Sequence, residues 1–221
     1  MNLRKYDGEK MLIRNEKPED YRTVEEMIKR TFWNLSEPGC SEHYFAHQVR
    51  QSKDYIPELD FVLEEDGKII GHIMYVKAKL VTADGTEKEI VSFGPFTIES
   101  AYQRKGYGRK LLEHSLEAAK RMGYPAVAIY GNPENYACYG FKNCKRYNVC
   151  LEKDMYPVAL MVKELEDGSL SGETWRYVES PAHNYDGSGF EEFDSSFERM
   201  EKGYKYTQEL FYIYSRSNLV R

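Results

Sequence analysis

The chain has 221 residues, 41% of them hydrophobic and 30% charged, with 31 basic against 36 acidic side chains and a formal net charge of -5. That length suits one globular domain with room for a small appendage, and the acidic balance argues against a nucleic-acid partner, which needs a basic face to meet phosphate. No stretch approaches the roughly 20 apolar residues of a membrane span, and residues 1–10 lack the apolar core of a secretion signal, so a cytoplasmic protein with no membrane partner is expected.

In chain order, residues 11–14 read as a first strand. Pro18 suits a first helical turn, where its missing N–H costs nothing. Tyr21, Val24, Met27, Ile28 and Phe32 recur at helical spacing, predicting an amphipathic helix over 19–32. Ser41 is a good N-cap for a second helix that turns Tyr44, Phe45 and Val49 inward. Strands over 60–64 and 69–81 flank Asp66-Gly67, a hairpin signal, and Asp84-Gly85 marks a second turn before a strand over 89–99. After Gly108, Leu111, Leu112, Ser115, Leu116, Ala119 and Met122 describe one helix face, closed by Gly123. A short apolar strand over 126–130, a turn or small helix over 133–139, and strands over 145–151 and 158–165 complete a mixed sheet.

Past Glu166 the composition shifts. Glycines and Pro181 punctuate a stretch carrying Trp175, Tyr177, Tyr185, Phe190, Phe193 and Phe197, too aromatic for a disordered tail. The division expected is a main domain over 1–165 and an extension over 166–221 that folds back on it. A lid over an acceptor site and a homodimer contact are the alternatives.

Four cysteines match no zinc spacing, and reduced, partly buried thiols are expected. His43 and His47, four apart on a helix, share a face, but no third ligand lies nearby and Tyr44 and Phe45 favour packing there, so no metal is expected. His72, inside a strand, reads as a buried, hydrogen-bonded histidine, with exposure to a substrate gap as the other possibility.

One segment carries chemistry: Gln103-Arg104-Lys105-Gly106-Tyr107-Gly108, between a strand and a helix. The first N–H groups of a helix lack intrahelical partners, and its dipole favours negative charge there. Gly106 and Gly108 remove Cβ atoms that would hold a ligand away, and Arg104, Lys105 and Arg109 add positive charge. A diphosphate is the natural occupant. The P-loop pattern is missing, and Leu111 stands where a dinucleotide fingerprint needs its third glycine. A glycine-rich turn with no ligand remains the bland alternative.

Gln-x-x-Gly-x-Gly before a Leu-Leu helix resembles the acyl-CoA motif of the GNAT superfamily of N-acetyltransferases. Phe93-Gly94-Pro95-Phe96-Thr97-Ile98 resembles that family's bulged fourth strand, and residues 126–130 its fifth. Gly131-Asn132-Pro133-Glu134-Asn135-Tyr136 with Tyr139-Gly140-Phe141 resembles its closing Tyr…Gly-Phe segment. Pro57-Glu58-Leu59, Gly71-His72 and Val162-Lys163-Glu164-Leu165 are similar to the YhbS-like subgroup of bacterial predicted acetyltransferases.

The resemblance implies an α/β fold of the α+β type, a mixed, mostly antiparallel sheet flanked by helices, with acetyl-CoA as co-substrate. It implies that strands four and five splay and take the pantetheine arm along the backbones of Phe96, Thr97 and Ile98, the Ile98 N–H facing the developing oxyanion. The diphosphate falls to Gln103, Arg104, Lys105, Gly106, Tyr107, Gly108 and Arg109, with Asn132 and Tyr136 as further contacts. Tyr136 stands where the family often carries a general-acid tyrosine, with Tyr139 its competitor. Glu99 is the candidate base, or else a solvated carboxylate on a turn. The acceptor implied is a primary amine of a small molecule or peptide; the alternative function is a non-catalytic acyl-CoA-binding or regulatory protein.

Overall fold

The computed structural model describes residues 11–220. Strand β1 (Met11–Asn15) pairs antiparallel with β2 (Phe61–Glu65), and the chain between them folds into α1 (Tyr21–Phe32) and α2 (Glu42–Val49). Pro18 opens a separate 3-10 turn, Pro18–Asp20, so α1 begins at Tyr21, later than the proline suggests. The cause is Asp20. Its carboxylate accepts the Lys17 N–H at 2.9 Å and is gripped by the Arg14 guanidinium at 2.6 and 3.0 Å.

Strands β3 (Lys68–Val81) and β4 (Glu87–Ile98) form a long hairpin. The turn from β2 to β3 has Asp66 at φ 49 and Gly67 at φ 79, the positive pair that a two-residue turn needs to match strand twist. A crossover through α3 (Tyr107–Arg121) brings β5 (Ala126–Tyr130) parallel to β4, and β9 (Leu160–Glu164) returns antiparallel to β5. The main path across the sheet is β1-β2-β3-β4-β5-β9-β6, β6 being Lys142–Asn143. This is the mixed, mostly antiparallel sheet flanked by helices that the sequence implies.

Between β5 and β9 the local structure departs from the expected strands. The small helix α4 is Pro133–Tyr136. Residues 145–151 do not form one strand: a 3-10 turn covers Cys144–Tyr147, started by the Asn143 side chain accepting the Lys145 N–H at 3.0 Å, and Asn148 turns left-handed at φ 52 before the short β7 (Val149–Cys150). The strand expected over 158–165 is present as β9, while the short β8 (Tyr156–Pro157) stands apart just ahead of it.

Side chains alternate across β3. Ile73 and Tyr75 meet Leu111, Leu112 and Leu116 of α3, while Met74 and Val76 meet Val24 and Ile28 of α1 and Ala46 and Val49 of α2, the period-two pattern of a sheet covered on both faces. Two charged residues of α1, Glu25 and Lys29, are also buried. Each is paired: Glu25 accepts from Arg50 at 2.7 Å, and Lys29 donates to Asp194 at 2.5 Å.

The segment after Glu166 contributes to the sheet itself. Strand β10 (Trp175–Val178) pairs antiparallel with the far end of β3 and parallel with β7. Trp175 and Tyr177 are buried with Leu80, Ile90 and Leu160. Helix α5 (Phe190–Ser195) packs on α2 through Phe193 and His43. Helix α6 (Tyr206–Arg216) leads into β11 (Asn218–Leu219), which pairs with β8. Among the described residues no helix is long and apolar enough to cross a membrane.

Candidate active site

Strands β4 and β5 are paired only at Val91–Val127 and Ser92–Ala128. Beyond Ser92, Gly94 and Pro95 together stand opposite the single residue Met74, between the Tyr75–Phe93 and Ile73–Phe96 pairs. Such a bulge bends its strand, and Pro95 has no N–H to give a neighbour. A gap therefore opens between the C-terminal halves of β4 and β5.

The Glu99 N–H donates to the Ile70 oxygen at 2.8 Å, which sets the phase of the ladder. By antiparallel alternation Thr97 also bonds toward β3, while the main-chain groups of Phe96 and Ile98 face the gap. Gln103 Nε2, donating to the Ile98 oxygen at 2.9 Å, fits that phase. The expectation that Thr97 shares its backbone with a ligand is corrected by this geometry: its main chain is taken up by β3, and its hydroxyl lies 2.5 Å from that of Thr31 on α1.

The glycine loop joins this gap directly. After a 3-10 turn at Ser100–Tyr102, Arg104 (φ 61) and Gly106 (φ 88) take left-handed backbone angles, and α3 starts at Tyr107 with no side chain capping it. The first bond into the helix runs from the Lys110 N–H to the Gly106 oxygen at 3.1 Å, and the N–H groups ahead of it project from the helix end. Arg104, Lys105 and Arg109 are exposed and form no ion pair among the described residues. A Cβ on Gly108 would lie 3.5 Å from both Ile98 and Phe96, so the helix start abuts the gap. Tyr107 is committed elsewhere, its hydroxyl donating to Glu65 on β2. Beside the loop runs a groove of about 470 Å³ lined by Arg109, Glu113, Cys138, Tyr139 and Lys163 among others.

Tyr136 lies on the β5 side of the gap, its ring edge-on to Phe93 at 5.6 Å and to Phe141 at 5.9 Å. Its hydroxyl makes no hydrogen bond among the described residues. Burial pushes its pKa above that of an ordinary tyrosine, with smaller contributions from Tyr214 and Tyr139. Tyr139 lines the outer groove instead, 5.7 Å from the Arg109 guanidinium. Asn132 uses its side chain to cap α4, accepting the Glu134 N–H at 3.0 Å. Glu99, half-buried at the end of β4, is ion-paired with Arg30 of α1 at 2.8 Å. The gap thus brings together Phe96, Ile98, Gly108 and Tyr136, while Tyr107, Thr97 and Asn132 are engaged elsewhere.

Gly131 belongs to the closing motif in the sequence, but no role for it is legible there. A Cβ at this position would sit 2.6 Å from Tyr136 Cε2, so only glycine lets the ring lie over the end of β5. The sequence also gives no sign of two buried polar clusters. Cys40 Sγ lies 3.7 Å from His43 Nδ1, and His43 Nε2 lies 2.9 Å from Asp194, the connectivity of a nucleophile–base–acid triad. Burial pushes that thiol up to about 12 and the imidazole down to about 4, so the chain joins α5 to the body of the fold and supplies no thiolate. His72 is buried as expected, bonded to Asp60 at 2.9 Å, with Glu16 3.9 Å away. These three offer one ligand-type atom each within 4.8 Å. The Arg50 guanidinium, however, already holds both Glu16 oxygens at 2.9 and 2.7 Å, and its fixed charge opposes a cation.

Residues 26–141 match the Acetyltransferase (GNAT) family model. An uncharacterized N-acetyltransferase, YhbS of Escherichia coli K12, is 28% identical over 165 residues, 74% of this chain and 93% of YhbS. The crystal structure of Escherichia coli YhbS in complex with CoA superposes with a TM-score of 0.70 at 23% identity, over 83% of this chain and 97% of that one. A GNAT acetyltransferase from Brucella melitensis in complex with acetyl-CoA gives 0.60 at 22% identity, over 78% and 97%. At these identities the two structures speak for the shared fold. The chain belongs to the GNAT family of acetyltransferases.

Proposed function

We propose that this protein transfers the acetyl group of acetyl-CoA to a primary amine by direct attack. The observation that carries the reading is the contiguity of a basic, uncapped helix start with a sheet gap into which the Phe96 and Ile98 main-chain groups face. The N–H groups of Gly106, Gly108 and Arg109 hold the diphosphate, with Arg104, Lys105 and Arg109 supplying charge. The pantetheine arm adds to β4 as an extra strand would. CoA is bound in the YhbS structure and acetyl-CoA in the Brucella melitensis one, which supports the same co-substrate here.

In the reaction the amine nitrogen forms a C–N bond to the thioester carbonyl carbon. The Ile98 N–H donates to the carbonyl oxygen as it becomes an oxyanion, a preorganised interaction worth about 3–4 kcal/mol. Glu99 takes the ammonium proton through the oxygen that Arg30 leaves free. The C–S bond breaks, and Tyr136 donates its proton to the departing thiolate. Burial keeps that phenol protonated at neutral pH and also raises the basicity of a thiolate leaving in the same desolvated gap.

The test is incubation with acetyl-CoA and a panel of primary amines, following free thiol and the mass of the product. CoA release dependent on an amine, with a product heavier by one acetyl group, is expected. Tight CoA binding with no turnover on any amine would overturn the reading in favour of a non-catalytic acyl-CoA binder.

A further inference from the structure

The C-terminal helix has two anchors, and they lie on opposite sides of the gap. At its start, Lys205 Nζ donates to the Trp33 oxygen (3.1 Å), Thr207 Oγ1 to the Leu35 oxygen (2.8 Å) and Gln208 Nε2 to the Asn34 oxygen (3.1 Å). Asn34 Oδ1 accepts the Gly203 N–H at 3.0 Å, and Trp33 Nε1 donates to the Glu201 oxygen at 2.8 Å. Residues 33–35 directly follow α1, whose Arg30 and Thr31 touch Glu99 and Thr97 at the end of β4. At its other end, the Ser217 oxygen accepts the Val158 N–H at 2.8 Å, and β11 pairs with β8. The next residue, Ala159, accepts the Gly131 N–H at 3.0 Å, at the end of β5. One anchor therefore belongs to β4 and the other to β5, the two strands that separate.

Eleven residues of helix, Tyr206–Arg216, cover about 16 Å, enough to cross a gap between diverging strands. Gln208, Phe211 and Ser215 recur at helical spacing on the inner face, with Tyr214 beside them, while Tyr206, Leu210 and Ile213 are exposed. Phe211 and Tyr214 pack edge to face at 5.5 Å. Tyr214 contributes, after burial, to the raised pKa of Tyr136. The Ser215 hydroxyl oxygen is buried with no hydrogen-bond partner, an arrangement that costs stability unless a ligand uses it.

We propose that α6 is the roof of the acceptor site, and that it restricts acceptors to small primary amines with an apolar body and one hydrogen-bonding group. Phe211 and Tyr214 cover the apolar body, and Ser215 meets the polar group. A helix fixed at both ends across the gap narrows the approach to it, so an extended polypeptide is expected to bind more weakly than a small amine. The inference rests on acetyl transfer at this gap but is tested separately from it.

The experiment titrates CoA-saturated, isotope-labelled full-length protein with benzylamine, phenethylamine, spermidine and an alanine-terminated peptide, read by NMR. The small apolar amines are expected to shift the signals of Phe211, Tyr214 and Ser215 at concentrations where the peptide does not. In parallel, Phe211→Ala is expected to raise the KM for benzylamine at least tenfold, with CoA affinity unchanged by calorimetry. If the amines shift α6 but no CoA is released, the roof stands and the transfer reading falls. Unperturbed α6 signals with every amine, or a peptide bound as well as benzylamine, would overturn the roof whatever the catalytic outcome.

Discussion

Gly131→Ala tests whether the position of Tyr136 matters for turnover without removing its hydroxyl. The new Cβ would lie 2.6 Å from Tyr136 Cε2, about 0.8 Å short of ordinary contact at 3.4 Å. Gly131 has no left-handed φ, so alanine brings no backbone strain of that kind. The ring must therefore move, and its packing on Phe93 and Phe141 makes the cost that of overpacking, about 1–3 kcal/mol. A shift approaching 1 Å at a reacting group lowers rate by up to about 100-fold. We expect kcat to fall about 10- to 100-fold, with CoA affinity by calorimetry within about twofold of wild type because the loop is untouched. Combined with Tyr136→Phe, the double variant should be no slower than Tyr136→Phe alone, since both act on one hydroxyl. Wild-type kcat in Gly131→Ala, with a crystal structure showing the ring displaced, would refute a proton-donating role for Tyr136.

Further outcomes follow from the same geometry. Gly106→Asp should weaken CoA binding by at least about 100-fold in calorimetry, because it sets a carboxylate where the diphosphate sits and forces an L residue to φ 88. His43 is held neutral by burial, with its value lowered to about 4. The unfolded chain therefore takes up a proton that the native state refuses, and stability falls as pH drops below the unfolded value toward 4. Wild type should lose about 2 kcal/mol more than His43→Gln between about pH 7.5 and 5 in urea unfolding, each pKa unit being about 1.4 kcal/mol. Glu16, raised by burial, titrates with the opposite sign, so the difference between the two proteins is the quantity to read. Trp175→Ala should cost about 3–5 kcal/mol in the same measurement, because β10 is a strand of the central sheet; a negligible loss would mean that the segment merely rests on the domain.

The parts of this fold legible in the sequence are those with local signals. Asp66-Gly67 forms its turn because both residues tolerate positive φ, and the Leu111-Leu112 helix declares its buried face by spacing. The loop at 103–109 was readable because glycines, basic residues and a helix start coincide. What stayed hidden depends on partners distant in the chain. Lys29 and Glu25 are buried on α1 only because Asp194 and Arg50 reach them. Residues 145–151 looked like a strand by residue type, but Asn143 and Asn148 offer the backbone competing turn geometry. Thr97 could not be assigned to β3 or to the gap without the ladder phase that the Glu99–Ile70 bond fixes. The crossing of α6 from residues 33–35 to β8 is wholly non-local, and no periodicity reports it.

A crystal structure of the protein soaked with acetyl-CoA measures directly where the thioester carrier lies. The diphosphate oxygens should sit at hydrogen-bond distance, about 2.7–3.2 Å, from the N–H groups of Gly106, Gly108 and Arg109, with the thioester oxygen on the Ile98 N–H beneath α6. A carrier bound away from the 104–109 loop, or an acetyl group outside the gap between β4 and β5, would contradict it.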